Sequence, residues 1–270
     1  MREGTGQPLI DAAGTEHRPV GEGARIISLV PSLTELLFDL GLGGQVVGRT
    51  AFCTEPAPAV ERVTSVGGTK SVQMARLLSL GASHVLVNID ETPKVLADRL
   101  TESGLTVVVT HPIAVRDNLA LYLLLGGLFG RQQAAVRLCD QFEQALERLA
   151  AAALPARRVA YLIWKDPWMT VSRETYISHV LAAAGMDTGD WPSGDRYPTV
   201  EWTDPLLAGF DLILFATEPF AFTGDHLRDF AAERPGAAHK LRLIDGQMLS
   251  WYGSRAVQAL DYLTRWVPGP

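Results

Sequence analysis

Short apolar runs alternate with longer stretches of helical periodicity along most of the chain. The runs are rich in β-branched residues, which is typical of strands covered on both faces. The stretches between them repeat apolar residues every three to four positions and predict amphipathic helices. The strand candidates are "RIISLV", "HVLVN", "LTVVVT", "RVAYLIW" and "FDLILFAT". This order predicts an α/β protein with parallel sheets built from βαβ units.

The longest uninterrupted helical pattern covers residues 131–153 and predicts a helix of roughly 34 Å. It separates two series of alternating strands and helices, so we expect two βαβ lobes joined by one long helix. The predicted parts are an irregular lead-in over residues 1–24, an N-terminal α/β lobe over 25–130, a connecting helix over 131–154 and a C-terminal α/β lobe over 155–270.

The first strand–helix unit, "RIISLVPSLTELLFDLGLGG", predicts a strand that stops at Pro31 and a short apolar helix. Proline lacks the amide that a sheet ladder needs. Ser32 and Glu35 have the spacing of a capping box, and Gly41 is a natural helix stop. The N-terminus of this helix should therefore face the carboxyl edge of a sheet, where open α/β sheets bind ligands.

The chain has 270 residues and a net charge of −6. This acidic balance argues against a nucleic-acid partner. The two cysteines, Cys53 and Cys139, are too few for a disulfide scaffold, and the sequence does not decide whether they form a single disulfide bond. The first 24 residues have no apolar segment of a secretory signal, and no stretch is long enough for a membrane span. We expect a cytoplasmic protein without membrane insertion; the alternative is a periplasmic or extracellular protein with a removed leader.

No catalytic set or metal-ligand set stands out. The sequence has no nucleophile elbow, no H-E-x-x-H and no paired C-x-x-C, and "VGGTKS" lacks the spacing of a phosphate loop. We therefore predict a protein that is not an enzyme and requires no cofactor. Cys53 follows the second strand and is either an axial ligand to a bound metal centre or a small buried residue. Glu218 follows "DLILFAT" and is either a ligand contact or a solvated loop residue.

All six tryptophans follow residue 160, and several lie in loops near tyrosines. Loops that leave strand ends converge on a cleft, where aromatic faces suit a large flat or apolar ligand. Core packing is the alternative. We expect core packing for Trp164 and Trp266, and we leave both interpretations open for Trp168, Trp191 and Trp251.

The chain as a whole resembles the helical-backbone metal receptors, the class III periplasmic-binding-protein-like family for vitamin B12, haem and iron chelates. The matching segments include "RIISLVPSLTELLFDLGLGGQVVGRT", "VGGTKSVQMARLLSLGASHVLVN", "YLIWKDPWMTVSRETYISHVLAAAGM" and "IDGQMLSWYGSR", and the resemblance covers about residues 25–255. It implies a ligand cleft between two lobes and a stiff connecting helix. With the candidates above, the predicted ligand-binding residues are Ser32, Phe52, Cys53, Gly68, Thr69, Trp168, Tyr176, Tyr197, Glu218, Trp251 and Tyr252.

Two features depart from the transporter-coupled members of that family. Those members carry a leader, which this sequence does not show. They also present a glutamate on each lobe to an ABC permease. Here Ala75 occupies one expected position, and Thr203 and Asp204 lie near the other. These departures argue against permease docking.

We therefore expect non-catalytic binding of a small-molecule metal chelate, by a substrate-binding component or a cytosolic carrier. A corrinoid is the first choice, and haem and ferric siderophores are the alternatives. Two competing hypotheses stay open. One is a cytosolic enzyme that acts on such a ligand through Cys53, Glu218 or Asp245, and the other is a protein-interaction module that keeps the fold without the ligand.

Overall fold

The structure of the protein, a computed structural model, describes residues 8–68 and 71–266. Its contacts divide the described chain into two compact units. The N-terminal unit contains the described residues up to Pro112, then Arg116–Gln141 and Tyr252–Arg255. The C-terminal unit contains Ile113–Val115, Phe142–Trp251 and the described residues from Ala256 onward. The predicted four-part organisation, which treats the connecting helix as a separate part, stays a prediction.

A five-stranded parallel sheet forms the centre of the N-terminal unit. The elements of this unit are β1 (Leu9–Ile10), β2 (Glu16–His17), β3 (Ile26–Ser28), α1 (Pro31–Asp39), β4 (Val46–Arg49), β5 (Thr64–Ser65), β6 (Gly67–Gly68), β7 (Ser71–Val72), α2 (Met74–Ser79), β8 (His84–Asn88), α3 (Lys94–Glu102), β9 (Thr106–Thr110) and α4 (Asp117–Leu128). The strands lie in the order β5-β4-β3-β8-β9, and each neighbouring pair is parallel. Ile27, Val85 and Val87 are buried in its core.

One long helix, α5 (Gln132–Ala151), supplies residues to both units. Its residues up to Gln141 belong to the N-terminal unit, and those from Phe142 belong to the C-terminal unit. Its 20 residues correspond to a length of about 30 Å. The predicted long helix in the middle of the chain is therefore confirmed.

A second sheet, with parallel central strands, forms the centre of the C-terminal unit. The further elements are β10 (Arg157–Trp164), β11 (Met169–Thr170), α6 (Tyr176–Ala183), β12 (Met186–Asp187), α7 (Asp204–Ala208), β13 (Leu212–Ala216), α8 (Gly224–Glu233), β14 (Leu241–Ile244), α9 (Gly246–Ser250) and α10 (Arg255–Arg265). The main path is β11-β10-β13-β14, with β12 beside the start of β10. β10, β13 and β14 are parallel, whereas β11 folds back antiparallel to β10.

These two sheets confirm the predicted fold class, a mixed α/β protein with parallel sheets. The physical reason is that strands covered by helices on both faces need continuous apolar runs, which the sequence shows directly. Among the described residues, none of the helices combines the length and the apolar character that crossing a bilayer requires.

The predicted capping box at the start of α1 is wrong. Pro31 is the first helical residue, Val30 is the N-cap, and no side chain caps the helix, so Ser32 lies inside it. Proline takes this position because its fixed φ suits a helix and it needs no amide partner. Glu35 instead accepts hydrogen bonds from Arg255 Nε and Nη2 at 2.8 and 2.6 Å. This buried ion pair joins residues that are far apart in the sequence.

Residues 8–24 of the predicted irregular lead-in contain the short antiparallel pair β1–β2. The Asp11 carboxylate organises this segment. It accepts hydrogen bonds from the amides of Ala13, Thr15 and Val109, and it lies 3.0 Å from His17 Nε2. Because Val109 belongs to β9, one buried carboxylate ties the lead-in to the edge strand of the sheet.

Candidate functional site

The carboxyl ends of parallel strands define one edge of each sheet, and loops at that edge bind ligands in open α/β proteins. In the N-terminal unit, Phe52 lies in the loop after β4 and is 61% exposed. Gly68 is its neighbour, because a Cβ at Gly68 would lie 3.3 Å from Phe52 Cε2. The structure thus brings these two predicted residues together. Thr69, also predicted for this site, lies outside the described residues.

Cys53 and Ser32, two further predicted ligand-binding residues, are buried. Thr34 Oγ1 donates to Cys53 Sγ at 3.1 Å, and Thr50 Oγ1 lies 3.2 Å from the same sulfur. Burial raises the pKa of the Cys53 thiol, which disfavours the thiolate that ligates metals. Of the two interpretations that the sequence left open for Cys53, the structure therefore favours the small buried residue.

A tyrosine–carboxylate pair lies at the same edge of the N-terminal unit. Tyr252 Oη donates to Glu91 Oε1 at 3.1 Å, in the loop directly after β8. Burial, assisted by the Glu91 charge, raises the pKa of Tyr252 well above its usual value. The amide of Gly253 donates to Asn118 Oδ1 at 2.7 Å and fixes the backbone beside the tyrosine. Tyr252 is among the residues predicted from the sequence, whereas Glu91 is not; its position just after "HVLVN" is the signal that could have found it.

In the C-terminal unit, the corresponding edge brings Glu218 and Trp251 into contact. Trp251 Nε1 donates to Glu218 Oε1 at 2.9 Å. Glu218 follows β13, and Trp251 follows the short helix α9. Gly246 at the start of α9 permits a close backbone approach, because a Cβ there would lie 2.6 Å from the Glu218 carbonyl oxygen. Two predicted residues thus meet beside Gly246, a glycine that no sequence pattern indicated.

The tryptophans divide between core and surface differently from expectation. Trp168 is half-buried and packs against the core of the C-terminal unit, where its ring stacks on Phe222 with 6.0 Å between centroids. Trp191 packs against the same core. Trp164, expected in the core, is instead 43% exposed. That expectation is wrong because Trp164 ends β10, where its ring leaves the sheet and meets Phe220 edge-on at 5.5 Å.

The remaining aromatic candidates have different environments. Tyr176 is buried at the first position of α6, whereas Tyr197 is exposed. The segment of Tyr197 runs beside β11, since the Thr170 amide donates to the Pro198 carbonyl at 3.0 Å. Trp266, also expected in the core, is half-buried just beyond α10. A ligand at the surface could therefore reach Tyr197 without rearrangement, whereas Tyr176 is covered.

Metal-ligating side chains are dispersed in this fold. Among the described residues, no group of three or more His, Cys, Asp or Glu side chains could hold a metal ion. His111 Nε2 lies 3.4 Å from Asp90 Oδ1 at the carboxyl edge of the N-terminal unit. His84 is buried with its Nδ1 2.8 Å from Ser83 Oγ, and burial lowers its pKa. Cys53 and Cys139 are not joined in a disulfide bond.

Comparison with known proteins defines the class to which this fold belongs. A family model described as periplasmic binding protein matches residues 26–239, well over half of the chain. The chain belongs to this family of periplasmic binding proteins.

One curated relative and two solved structures show which proteins the chain is similar to. A vitamin B12-binding protein of Pectobacterium atrosepticum is 23% identical over 185 residues, 64% of this chain and 66% of that protein. The chain thus spans slightly less than two thirds of this curated relative. The periplasmic vitamin B12 binding protein BtuF of Vibrio cholerae matches with a TM-score of 0.74 and 20% identity, over 89% of this chain and 95% of that one. The periplasmic heme-binding protein RhuT of Roseiflexus sp. RS-1 matches with a TM-score of 0.75 and 23% identity, over 91% and 97%.

The family resemblance inferred from the sequence is therefore confirmed, and the solved structures establish a shared fold. The named relatives are described as vitamin B12-binding or heme-binding proteins. The ligand-binding role of each predicted residue, and the cleft predicted between two lobes, stay predictions.

Proposed function

We propose that this chain binds a metal chelate without transforming it, with a corrinoid as the first choice and haem or a ferric siderophore as alternatives. The observation that carries the proposal is the exposed aromatic surface at each carboxyl edge: Phe52 in the N-terminal unit and Trp164 in the C-terminal unit. Aromatic faces beside polar groups suit a large, flat, largely apolar ligand. Family membership and the vitamin B12-binding and heme-binding relatives support the same class of ligand.

We propose the periplasmic location for this activity, because the structural relatives are described as periplasmic. That this chain does not dock to an ABC permease stays a prediction. Ala75 lies in α2 at one expected docking position. At the other, Asp204 begins α7, and the Thr203 hydroxyl caps that helix by accepting from the Leu206 amide. A carboxylate is thus present at one of the two positions.

Thermal unfolding with a ligand panel tests the proposal. A ligand at 100 times its Kd stabilises the folded protein by about 2.7 kcal/mol. For a chain of this size, we expect the unfolding temperature to rise by roughly 5 °C or more. The panel is cyanocobalamin, aquacobinamide, haemin and ferrichrome, each measured also by its visible absorbance. The absence of stabilisation by every member, or recovery of a chemically altered ligand, would overturn the proposal.

A matched pair of variants distinguishes binding at the carboxyl edge from nonspecific hydrophobic association of the ligand with the protein surface. Phe52→Ala should weaken binding of the stabilising ligand, because it removes the exposed ring at the carboxyl edge of the N-terminal unit. Val136→Ala removes an exposed apolar side chain from α5 and should leave binding unchanged. Equal effects of the two variants would show that the ligand does not contact the carboxyl edge.

A further inference from the structure

Several charged side chains lie at the carboxyl edge of the C-terminal unit. The loop after β10 begins with Lys165 and Asp166. The loops after β13 and β14 supply two more carboxylates, Glu218 and Asp245. Asp245 is engaged locally, because its Oδ1 accepts from the amides of Gln247 and Met248 and caps α9. Within the described chain, the Glu218 carboxylate has one hydrogen-bond partner, Trp251 Nε1 on its Oε1. Its Oε2 is available to accept a hydrogen bond from a ligand.

The Glu218 loop is held in place from two sides. The Gly246 amide donates to Thr217 Oγ1 at 2.9 Å, and Gly246 packs directly on the Glu218 backbone. On the other side, the Phe220 amide donates to the Ile163 carbonyl at 3.3 Å. Because the loop is fixed before a ligand arrives, the carboxylate cannot easily turn away from an unfavourable group.

Tyr161, a buried residue of β10, interacts with the carboxylates at this edge. The Tyr161 hydroxyl is fully buried and makes no hydrogen bond in the described chain. Burial first, and then the charges of Asp245 and Glu218, raise the pKa of Tyr161. Tyr161 therefore stays neutral, and the negative charge at this edge comes from the carboxylates alone.

We infer that Glu218 selects the ligand class: it disfavours chelates with peripheral carboxylates and favours chelates that are cationic or carry amides. This inference rests on the proposed function. A carboxylate repels the two propionates of haem, whereas it accepts hydrogen bonds from the amide side chains of a corrin ring. Like-charge repulsion is an effective means of rejecting a competing ligand. Glu218 thus discriminates between two of the ligand classes that the proposed function includes.

The experiment compares haemin with its dimethyl ester, which has the same macrocycle without the carboxylates. Affinities are measured by absorbance titration for the wild type and for Glu218→Gln, which keeps an acceptor for Trp251 and removes the charge. We expect Glu218→Gln to improve haemin binding about tenfold relative to the ester and to weaken aquacobinamide binding. Glu233→Gln is the matched control, because Glu233 ends α8, the helix that leads away from this edge. It should change each affinity by less than about twofold.

A change in the haemin-to-ester ratio of less than about fivefold in Glu218→Gln would overturn the inference. If this variant does not fold, ionic strength provides the test on the wild type. Raising salt from about 0.05 to 0.5 M should then improve haemin binding and leave ester binding unchanged, because salt screens the repulsion. An equal salt response of both ligands would also overturn the inference. Failure of the wild type to bind these three probes and every member of the ligand panel would instead count against the proposed function.

Discussion

The buried ion pair between Glu35 and Arg255 allows a quantitative prediction about stability. Two hydrogen bonds of 2.8 and 2.6 Å join these side chains, which are 8% and 10% exposed. At a charge separation of about 4 Å and an effective dielectric constant of about 20, their attraction is about 4 kcal/mol. Arg255→Ala leaves the Glu35 carboxylate buried without this partner. We expect the free energy of unfolding at pH 7 to fall by about 3–5 kcal/mol.

The pH dependence of the stability lost in Arg255→Ala provides a second test. Burial raises the pKa of Glu35 above the ordinary value of 4.5, and Arg255 opposes this shift, so removing Arg255 should raise the pKa further. A carboxyl group with a raised pKa in the folded state destabilises the protein as pH rises through that pKa. Below the unfolded-state value the group is protonated in both states. The stability defect of Arg255→Ala should therefore shrink as the pH is lowered from 7 towards 4.5.

Urea unfolding followed by far-UV circular dichroism measures both effects. Arg148→Ala is the matched control, because Arg148 also pairs bidentately with a carboxylate, Asp261, but is 50% exposed. It should cost less than about 1 kcal/mol. The double variant Glu35→Leu/Arg255→Met should recover much of the loss, because it leaves no buried charge. A cost of Arg255→Ala below about 1 kcal/mol, or an equal cost at pH 7 and pH 5, would refute the electrostatic reasoning.

Three further predictions concern the candidate site and its surroundings. Gly246→Ala should destabilise the protein by about 1–3 kcal/mol and weaken ligand binding, because its Cβ would collide with the Glu218 backbone; urea unfolding and the ligand titrations measure this. In the native protein, Ellman's reagent should modify the partly exposed Cys139 well before the buried Cys53, and denaturation should make both react quickly. Tyr252 should resist ionisation above pH 10 in an absorbance titration. Because its pKa is higher in the folded state than in the unfolded state, the free energy of unfolding should fall as the pH rises above 10. Tyr252→Phe should reduce this fall.

Controls distinguish these results from general destabilisation. Gly236→Ala adds a methyl group where nothing lies within 4 Å, so it should have little effect beside Gly246→Ala. Equal losses in the two glycine variants would contradict the packing argument. Fast modification of Cys53 in the native protein would contradict its burial. Normal titration of all tyrosines near pH 10 would contradict the environment described for Tyr252.

The order of strands and helices could be predicted because burial leaves a local signature. "HVLVN" corresponds to β8, His84–Asn88, without a shift, and "RVAYLIW" matches β10 after its first residue. The central positions of both strands, Val85–Val87 and Val159–Ile163, are buried and apolar, as expected for strands inside a sheet. Chain order also indicated that Phe52 and Glu218 follow strands, which places them at carboxyl edges.

The side-chain pairings at the carboxyl edge of each unit could not be predicted in this way. The hydrogen bond from Tyr252 to Glu91 joins residues 161 positions apart, and that from Trp251 to Glu218 joins residues 33 positions apart. Helical and strand periodicity extend over one element and carry no information about such contacts. The same limit explains the capping-box error, because Ser32 and Glu35 have the correct spacing while the partner of Glu35 is Arg255, 220 positions away.

The sequence by itself determined the fold class, the long helix α5 and the family, because these follow from apolar periodicity and from the order of whole segments. Only the tertiary structure decided that Cys53 is buried, that Trp168 is half-buried against the core and that Trp164 is exposed, and only it paired Trp251 with Glu218. Local sequence patterns indicate which positions of a helix or strand are buried. Which side chain fills a given space, and which is left at the surface, depends on neighbours that the chain brings together only when it folds.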